Sequence, residues 1–139
     1  MKSRSLLFAA ALLGTVTLLH AEEADSPLEG EMKILARGTK QLSQQVTDPT
    51  KQQENITLLE SLKKAATDSK ALTPRKTTSV PQADREKFLA DFRTDLDELK
   101  DAFGQIEEAV KAGQYDKAKS LLAMANSIKK EGHGKFKQD

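Results

Sequence analysis

Apolar residues in the first part of the chain recur in steps of four and three, which is the period of one helical face. Ser26 and Glu29 have the spacing of a capping box, and Pro27 suits the first helical position, where a missing N–H is tolerated. The pattern predicts a first helix over residues 27–46. Its core stripe comprises Leu28, Met32, Leu35, Thr39, Leu42 and Val46.

A second helical segment is predicted from Asp48 and Pro49 to the residue before Pro74. Asp48 is a good helix cap and Pro49 a good first residue. Residues 74–81, PRKTTSVP, are polar and lie between two prolines, so they predict a linker that extends neither neighbouring helix. The apolar positions of the second segment are Ile56, Leu59, Leu62, Ala66 and Leu72.

Two further helices are predicted in the second half of the chain. Ser79 and Gln82 form a second capping box at the start of the third helix, and Gly113 ends it. Its stripe is Phe88, Phe92, Leu96, Leu99, Phe103, Ile106 and Val110. Asp116 is the predicted cap of the fourth helix. That helix carries Ala118, Leu122, Ala125, Ile128 or Lys129, Gly132 and Phe136.

The four stripes predict an all-α fold, because no run shows the period-two alternation of a strand. One amphipathic helix cannot bury its stripe alone, and short connections make neighbours antiparallel. The sequence therefore predicts an up-down-up-down antiparallel four-helix bundle. The stretch AVKAGQYDKAKSLL around Gly113 is similar to the helix turn of a tetratricopeptide repeat. It occurs once, whereas a solenoid needs several copies, so a simple helical hairpin is the preferred interpretation.

Residues 1–21, MKSRSLLFAAALLGTVTLLHA, have the three-part layout of a secretory signal peptide. Lys2 and Arg4 form a basic start, an apolar run follows, and Ala21 precedes an acidic stretch. The apolar run is shorter than the roughly 20 residues that span a bilayer, which favours cleavage over an uncleaved anchor. We expect a mature chain of residues 22–139 in the periplasm, without a stable membrane anchor.

Composition narrows the functional classes. The chain has 139 residues, no cysteine, 22 Lys and Arg, and 21 Asp and Glu. Without cysteine there is no disulfide framework, no thiolate zinc site and no covalently attached c-type haem. The balanced charge argues against a protein that binds nucleic acid by neutralising phosphates, so no nucleic-acid partner is expected. We also expect a monomer.

The sequence lacks the parts of the common catalytic sites. His133 is the one histidine left after the signal peptide, and HExxH, GxSxG, Walker and GxGxxG motifs are absent. Asp95, Asp97, Glu98 and Asp101 cluster on the third helix, between its core positions. Such a cluster is more typical of a solvated face than of a metal or catalytic site. We therefore expect that the protein is not an enzyme.

The bundle topology brings one pair of possible iron ligands to the same end. Met32 lies in the second turn of the first helix, on the core stripe, and His133 lies near the end of the fourth helix, bordering its core face. A thioether and an imidazole that face each other can hold one iron axially. From spacing alone, two ordinary alternatives stay open. Met32 could be core filler, and His133 could be a partner of the helix dipole.

From Leu28 to its end, the chain resembles the soluble cytochrome b562 family. The likeness is carried by LEGEM at 28–32, DFR at 91–93, GQIEEAV at 104–110, and GQYDKAKSLL at 113–122 leading to HGKF at 133–136.

The resemblance implies one non-covalent b-type haem per chain, with Met32 and His133 as its axial ligands and as the ligands of the iron. It implies that Leu35 and Phe92 line the haem pocket. The implied function is electron transfer in the periplasm, with redox partners that the sequence does not identify.

Three positions depart from the family pattern. Leu96 stands where the family often has an aromatic residue, and Gly132 and Gly134 flank His133. Each glycine costs a helix about 1 kcal/mol relative to alanine, so the turn that carries His133 is expected to fray and weaken haem binding. The alternative function is therefore a haem-free helical bundle of the periplasm, with a binding or chaperone-like role.

Overall fold

The computed structural model describes residues 26–138, so the predicted signal peptide at residues 1–21 lies outside the described part. The described residues form four α-helices and no strand, which confirms the predicted all-α four-helix bundle. The helices are α1 (Pro27–Gln45), α2 (Gln52–Ser69), α3 (Arg85–Lys111) and α4 (Tyr115–Phe136). Over residues 26–138, no helix combines the length and the apolar character that crossing a membrane requires.

Two helix ends form as the sequence predicts. At the start of α1, the Glu29 amide donates to Ser26 Oγ at 3.3 Å, and Glu29 Oε2 accepts from the Ser26 amide at 2.9 Å. After α3, Gly113 adopts a φ of 70°, which only glycine reaches without steric cost. The Gln114 amide then donates to the Ala109 carbonyl at 2.8 Å, as in a Schellman motif. These local signals fix where α1 begins and α3 ends.

The predicted start of α3 at a Ser79–Gln82 capping box is wrong. Ser79 closes a short 3-10 turn, Arg75–Ser79, and a second 3-10 turn, Gln82–Asp84, precedes α3. Pro81 separates the two turns. A residue before proline avoids the helical region, and Val80 is extended at φ −81° and ψ 135°. The helix therefore begins only at Arg85.

Three other predicted boundaries also differ. The second helix begins at Gln52, after a 3-10 turn over Pro49–Lys51 that Asp48 caps, and it ends at Ser69, before Leu72. The prediction of Asp116 as the cap of α4 is wrong, because Gln114 occupies that position and Asp116 lies within the first turn. A carboxylate in the first turn still suits the positive end of the helix dipole.

The helices pack in a ring, in which α1 lies against α2, α2 against α3 and α3 against α4. The α1 and α4 backbones approach each other far less than these three pairs do. The main core fills the middle of the bundle, where its larger side chains are Leu35, Leu42, Val46, Leu59, Leu62, Leu99, Phe103, Ile106, Val110 and Leu122. A second, smaller core of Phe92, Leu96 and Phe136 is separate, and Met32 packs against both.

Candidate functional site

A cavity of about 830 Å³ opens where α1 and α4 diverge. Its volume falls within the range of about 300–1,000 Å³ that is typical of small-molecule sites. We call it the α1–α4 cleft. Its walls are mainly apolar, and its lining includes Leu28, Met32, Leu35, Phe92, Leu96, Leu99, Ile128, His133 and Phe136. The smaller core thus forms part of the wall of the cleft.

Both predicted iron ligands line this cleft. Met32 is half-buried on α1, and His133 is exposed on α4. Helix α4 continues through His133 to Phe136, so the flanking Gly132 and Gly134 do not interrupt it. The structure thus places a thioether and an imidazole, from opposite ends of the sequence, in one cavity.

The two predicted pocket residues, Leu35 and Phe92, are buried and line the same cleft. Sequence analysis did not assign Phe136 to the site. Its ring centroid lies 5.2 Å from those of Phe88 and Phe92, and both ring pairs meet edge to face. Phe136 follows His133 by three residues, and helical neighbours at this spacing share a face, so that spacing was the available signal.

Lys129 is a second cleft residue that the sequence did not assign. Its Nζ donates to Thr39 Oγ1 at 2.6 Å, and the Thr39 hydroxyl contacts the Leu35 carbonyl at 2.7 Å. Burial lowers the pKa of Lys129 below its ordinary value, because desolvation disfavours the charged form. The only sequence signal was its position next to Ile128, where the α4 stripe was ambiguous.

Charged side chains surround the apolar walls. Lys130 and Lys137 line the cleft, as do Arg75 and Glu29, whose side chains approach within 3.3 Å. The positive groups outnumber the negative ones at this opening. The cleft therefore combines an apolar interior with a cationic edge.

The acidic cluster on α3 is only partly a solvated face. Glu98 and Asp101 are exposed as expected. Asp95 instead is half-buried and lines the cleft, where it pairs with Lys135 at 3.1 Å, and Asp97 pairs with Lys70 at 2.6 Å. Across residues 26–138, no group of three or more His, Cys, Asp and Glu side chains could hold a metal ion.

The donor set of the cleft fits a haem. One thioether and one imidazole are a known pair of axial iron ligands, and aromatic and aliphatic walls suit a flat apolar ring. Met32 and His133 would hold the iron, and Leu35, Phe92, Leu96 and Phe136 would pack against the ring.

Residues 27–137 match the family described as Cytochrome b562. Searches of curated proteins and of solved structures return no match. The match covers all four helices and both walls of the cleft, so the chain belongs to the cytochrome b562 family.

Proposed function

We propose that the protein is a periplasmic electron carrier that binds one non-covalent b-type haem between Met32 and His133. The observation that carries the proposal is that these two residues line the same cleft. Membership of the cytochrome b562 family supports a haem-binding electron-transfer protein. The residues of the cleft indicate how this chain would bind a haem and transfer electrons.

When bound, the haem supplies one-electron exchange at its iron. Met32 provides a thioether, a ligand type that raises the reduction potential. Leu35, Phe92 and Phe136 are buried and keep water from the inner wall, which strengthens electrostatic interactions inside the cleft. His133 is exposed, so the site reaches the surface where a redox partner can approach. Because Met32 and His133 would both hold the iron, we propose a carrier rather than an enzyme.

A hemin titration of the purified protein tests the ligand assignment. We expect sharp low-spin bands after reduction, and we expect their loss in Met32→Ala and in His133→Ala. Met124→Ala is a matched control, because Met124 is an exposed methionine on α4 outside the cleft. Far-ultraviolet circular dichroism establishes that each variant remains helical. Absent bands in the native protein, or unchanged bands in both ligand variants, would contradict the assignment.

The periplasmic location rests on the layout of residues 1–21. Expression of the full chain followed by cell fractionation tests it. We expect the protein in the periplasmic fraction with Glu22 as its first residue, read by intact-mass spectrometry. An intact amino terminus, or recovery with the cytoplasm, would contradict the location.

The alternative is a haem-free bundle that binds another ligand in the cleft. The exposure of His133 and the aliphatic Leu96 in the wall favour it, because both reduce the contacts available to a haem. This alternative predicts a stable helical protein whose melting temperature does not change with hemin. A hemin-dependent rise in melting temperature that Met32→Ala abolishes would exclude it.

A further inference from the structure

The charged residues of the bundle are divided between two pairs of helices. Together α1 and α4 carry eight Lys and Arg and four Asp and Glu, a net charge of +4. Helices α2 and α3 carry seven Lys and Arg and eleven Asp and Glu, a net charge of −4. The nearly neutral total of the whole chain conceals this separation.

The ring of helices turns this separation into a dipole. Because α1 packs against α2 and α3 packs against α4, the α1/α4 pair and the α2/α3 pair form opposite faces. The α1–α4 cleft opens on the positive face. The positive end of the dipole therefore coincides with the candidate site.

Several lysines of the α2/α3 face pair with carboxylates of the same face. On the α2/α3 face, Lys63 and Lys111 both pair with Glu107, and Lys64 pairs with Asp68. At the cleft, Lys130 and Lys137 are exposed, and no carboxylate among residues 26–138 pairs with either of them. The cleft face therefore retains positive charge that residues 26–138 do not neutralise.

We propose that the cleft face docks a protein partner that presents a cluster of Asp and Glu side chains. Complementary charge steers two proteins into register and raises their association rate, which suits a brief encounter. The purpose of the docking, electron exchange at the cleft, rests on the proposed function. The binding itself needs only the charges of the folded chain.

A protein partner fits this face better than an anionic bilayer. Helices that lie on a membrane insert a continuous apolar stripe between the headgroups. The large hydrophobic side chains exposed on the described helices are Ile34 on α1 and Met124 on α4. Two isolated apolar side chains can contribute contacts to a protein interface, but they do not form such a stripe.

A titration with a ten-residue glutamate peptide tests the proposal, with amide shifts read by ¹H–¹⁵N NMR on the purified protein. We expect the shifts to cluster on α1 and α4 and the affinity to fall at least about tenfold between low salt and about 0.2 M NaCl. Lys130→Glu should weaken binding about three- to tenfold. The matched reversal Lys100→Glu, at an exposed lysine on α3, should change it less than about twofold.

Three results would overturn the proposal. They are shifts concentrated on α2 and α3, equal losses in Lys130→Glu and Lys100→Glu, and tighter binding to phosphatidylglycerol vesicles than to the peptide. This titration needs no hemin, so its failure is distinct from a failure of the haem assignment. If hemin gives no low-spin bands and the peptide still binds the cleft face, the docking surface is supported, but its purpose is not electron exchange.

Discussion

Lys129 Nζ on α4 lies 2.6 Å from Thr39 Oγ1 on α1, so a half-buried ammonium group joins the two helices that flank the cleft. The α1 and α4 backbones otherwise approach each other less than the other neighbouring pairs do. The hydrogen bond between Lys129 and Thr39 therefore helps to set the distance between α1 and α4 beside the cleft.

Replacement of Thr39 by valine tests this contact. Thr39→Val keeps the shape of the side chain but removes the acceptor, and we expect the free energy of unfolding to fall by about 1–2 kcal/mol. Urea denaturation measures the change. Thr57→Val is the control, because the exposed Thr57 hydroxyl also contacts a carbonyl four residues earlier but meets no lysine. Equal losses of unfolding free energy in the two variants would show that the hydrogen bond between Lys129 and Thr39 does not stabilise the protein.

Glu107 makes the stability of the folded protein depend on pH. Burial acts to raise its pKa, but hydrogen bonds from Lys111 and Lys63 outweigh burial, and the pKa is lowered below the ordinary 4.5. A carboxyl whose pKa is lower in the folded state stabilises the protein above its unfolded pKa, and this stability is lost as pH falls through the folded pKa. We expect the unfolding free energy to decline below about pH 4.5, less steeply in Glu107→Gln.

The control for this acid dependence is Glu108→Gln. Glu108 is the exposed neighbour of Glu107, with a side chain 79% accessible against 6% for Glu107. Urea denaturation of the three proteins from neutral pH to about pH 3 gives the comparison. Identical slopes in the native protein and Glu107→Gln would remove Glu107 as a source of the acid dependence.

Gly38 permits the close approach of α1 and α2. A Cβ added there would lie 2.6 Å from Leu62 Cδ2, and Leu62 is fully buried and cannot move aside freely. Alanine in place of a helical glycine gains about 1 kcal/mol in propensity, whereas overpacking costs about 1–3 kcal/mol. We expect Gly38→Ala to lower the melting temperature.

Gly30→Ala on the same helix is the matched control. No atom lies within 4 Å of a Cβ built at Gly30, so we expect this substitution to raise the melting temperature. Differential scanning calorimetry of both variants gives the comparison. A stabilised Gly38→Ala variant would mean that Leu62 adapts to the added methyl group.

Gly134 offers a way to strengthen the turn that carries His133. A Cβ there meets no atom within 4 Å, so Gly134→Ala should stabilise α4 by up to about 1 kcal/mol. If His133 holds the haem, we expect hemin to transfer to apomyoglobin up to about fivefold more slowly. Gly104→Ala on α3, also without close neighbours, is the control. Equal retardation by both substitutions would indicate general stabilisation rather than an effect at His133.

The four- and three-residue spacing of apolar positions predicted the core well, because this spacing places them on the one helical face that becomes buried. From Phe92 to Val110, every predicted stripe residue of α3 is buried. Helix starts were harder to predict. Ser26–Glu29 and Ser79–Gln82 have the same spacing, yet only the first pair caps a helix, since Pro81 interrupts the second.

The candidate site was predictable only in part. The up-and-down topology sufficed to bring Met32 and His133 to one end, and the structure places both in one cleft. Ligation of a haem by them stays a prediction. The roles of Lys129 and Phe136 depend on distances across the bundle, to Thr39 and to the rings of Phe88 and Phe92. No linear pattern encodes such distances.

The division of the core into two parts bears on the order of assembly. The main core is closed by residues of all four helices, and the Phe92, Leu96 and Phe136 cluster lies apart from it at the cleft. We therefore expect the bundle to reach its native topology with the cleft empty. The bundle would then fold first and capture its cofactor afterwards. Met32 packs against both parts of the core, so a cofactor bound in the cleft would affect the packing of the main core through Met32.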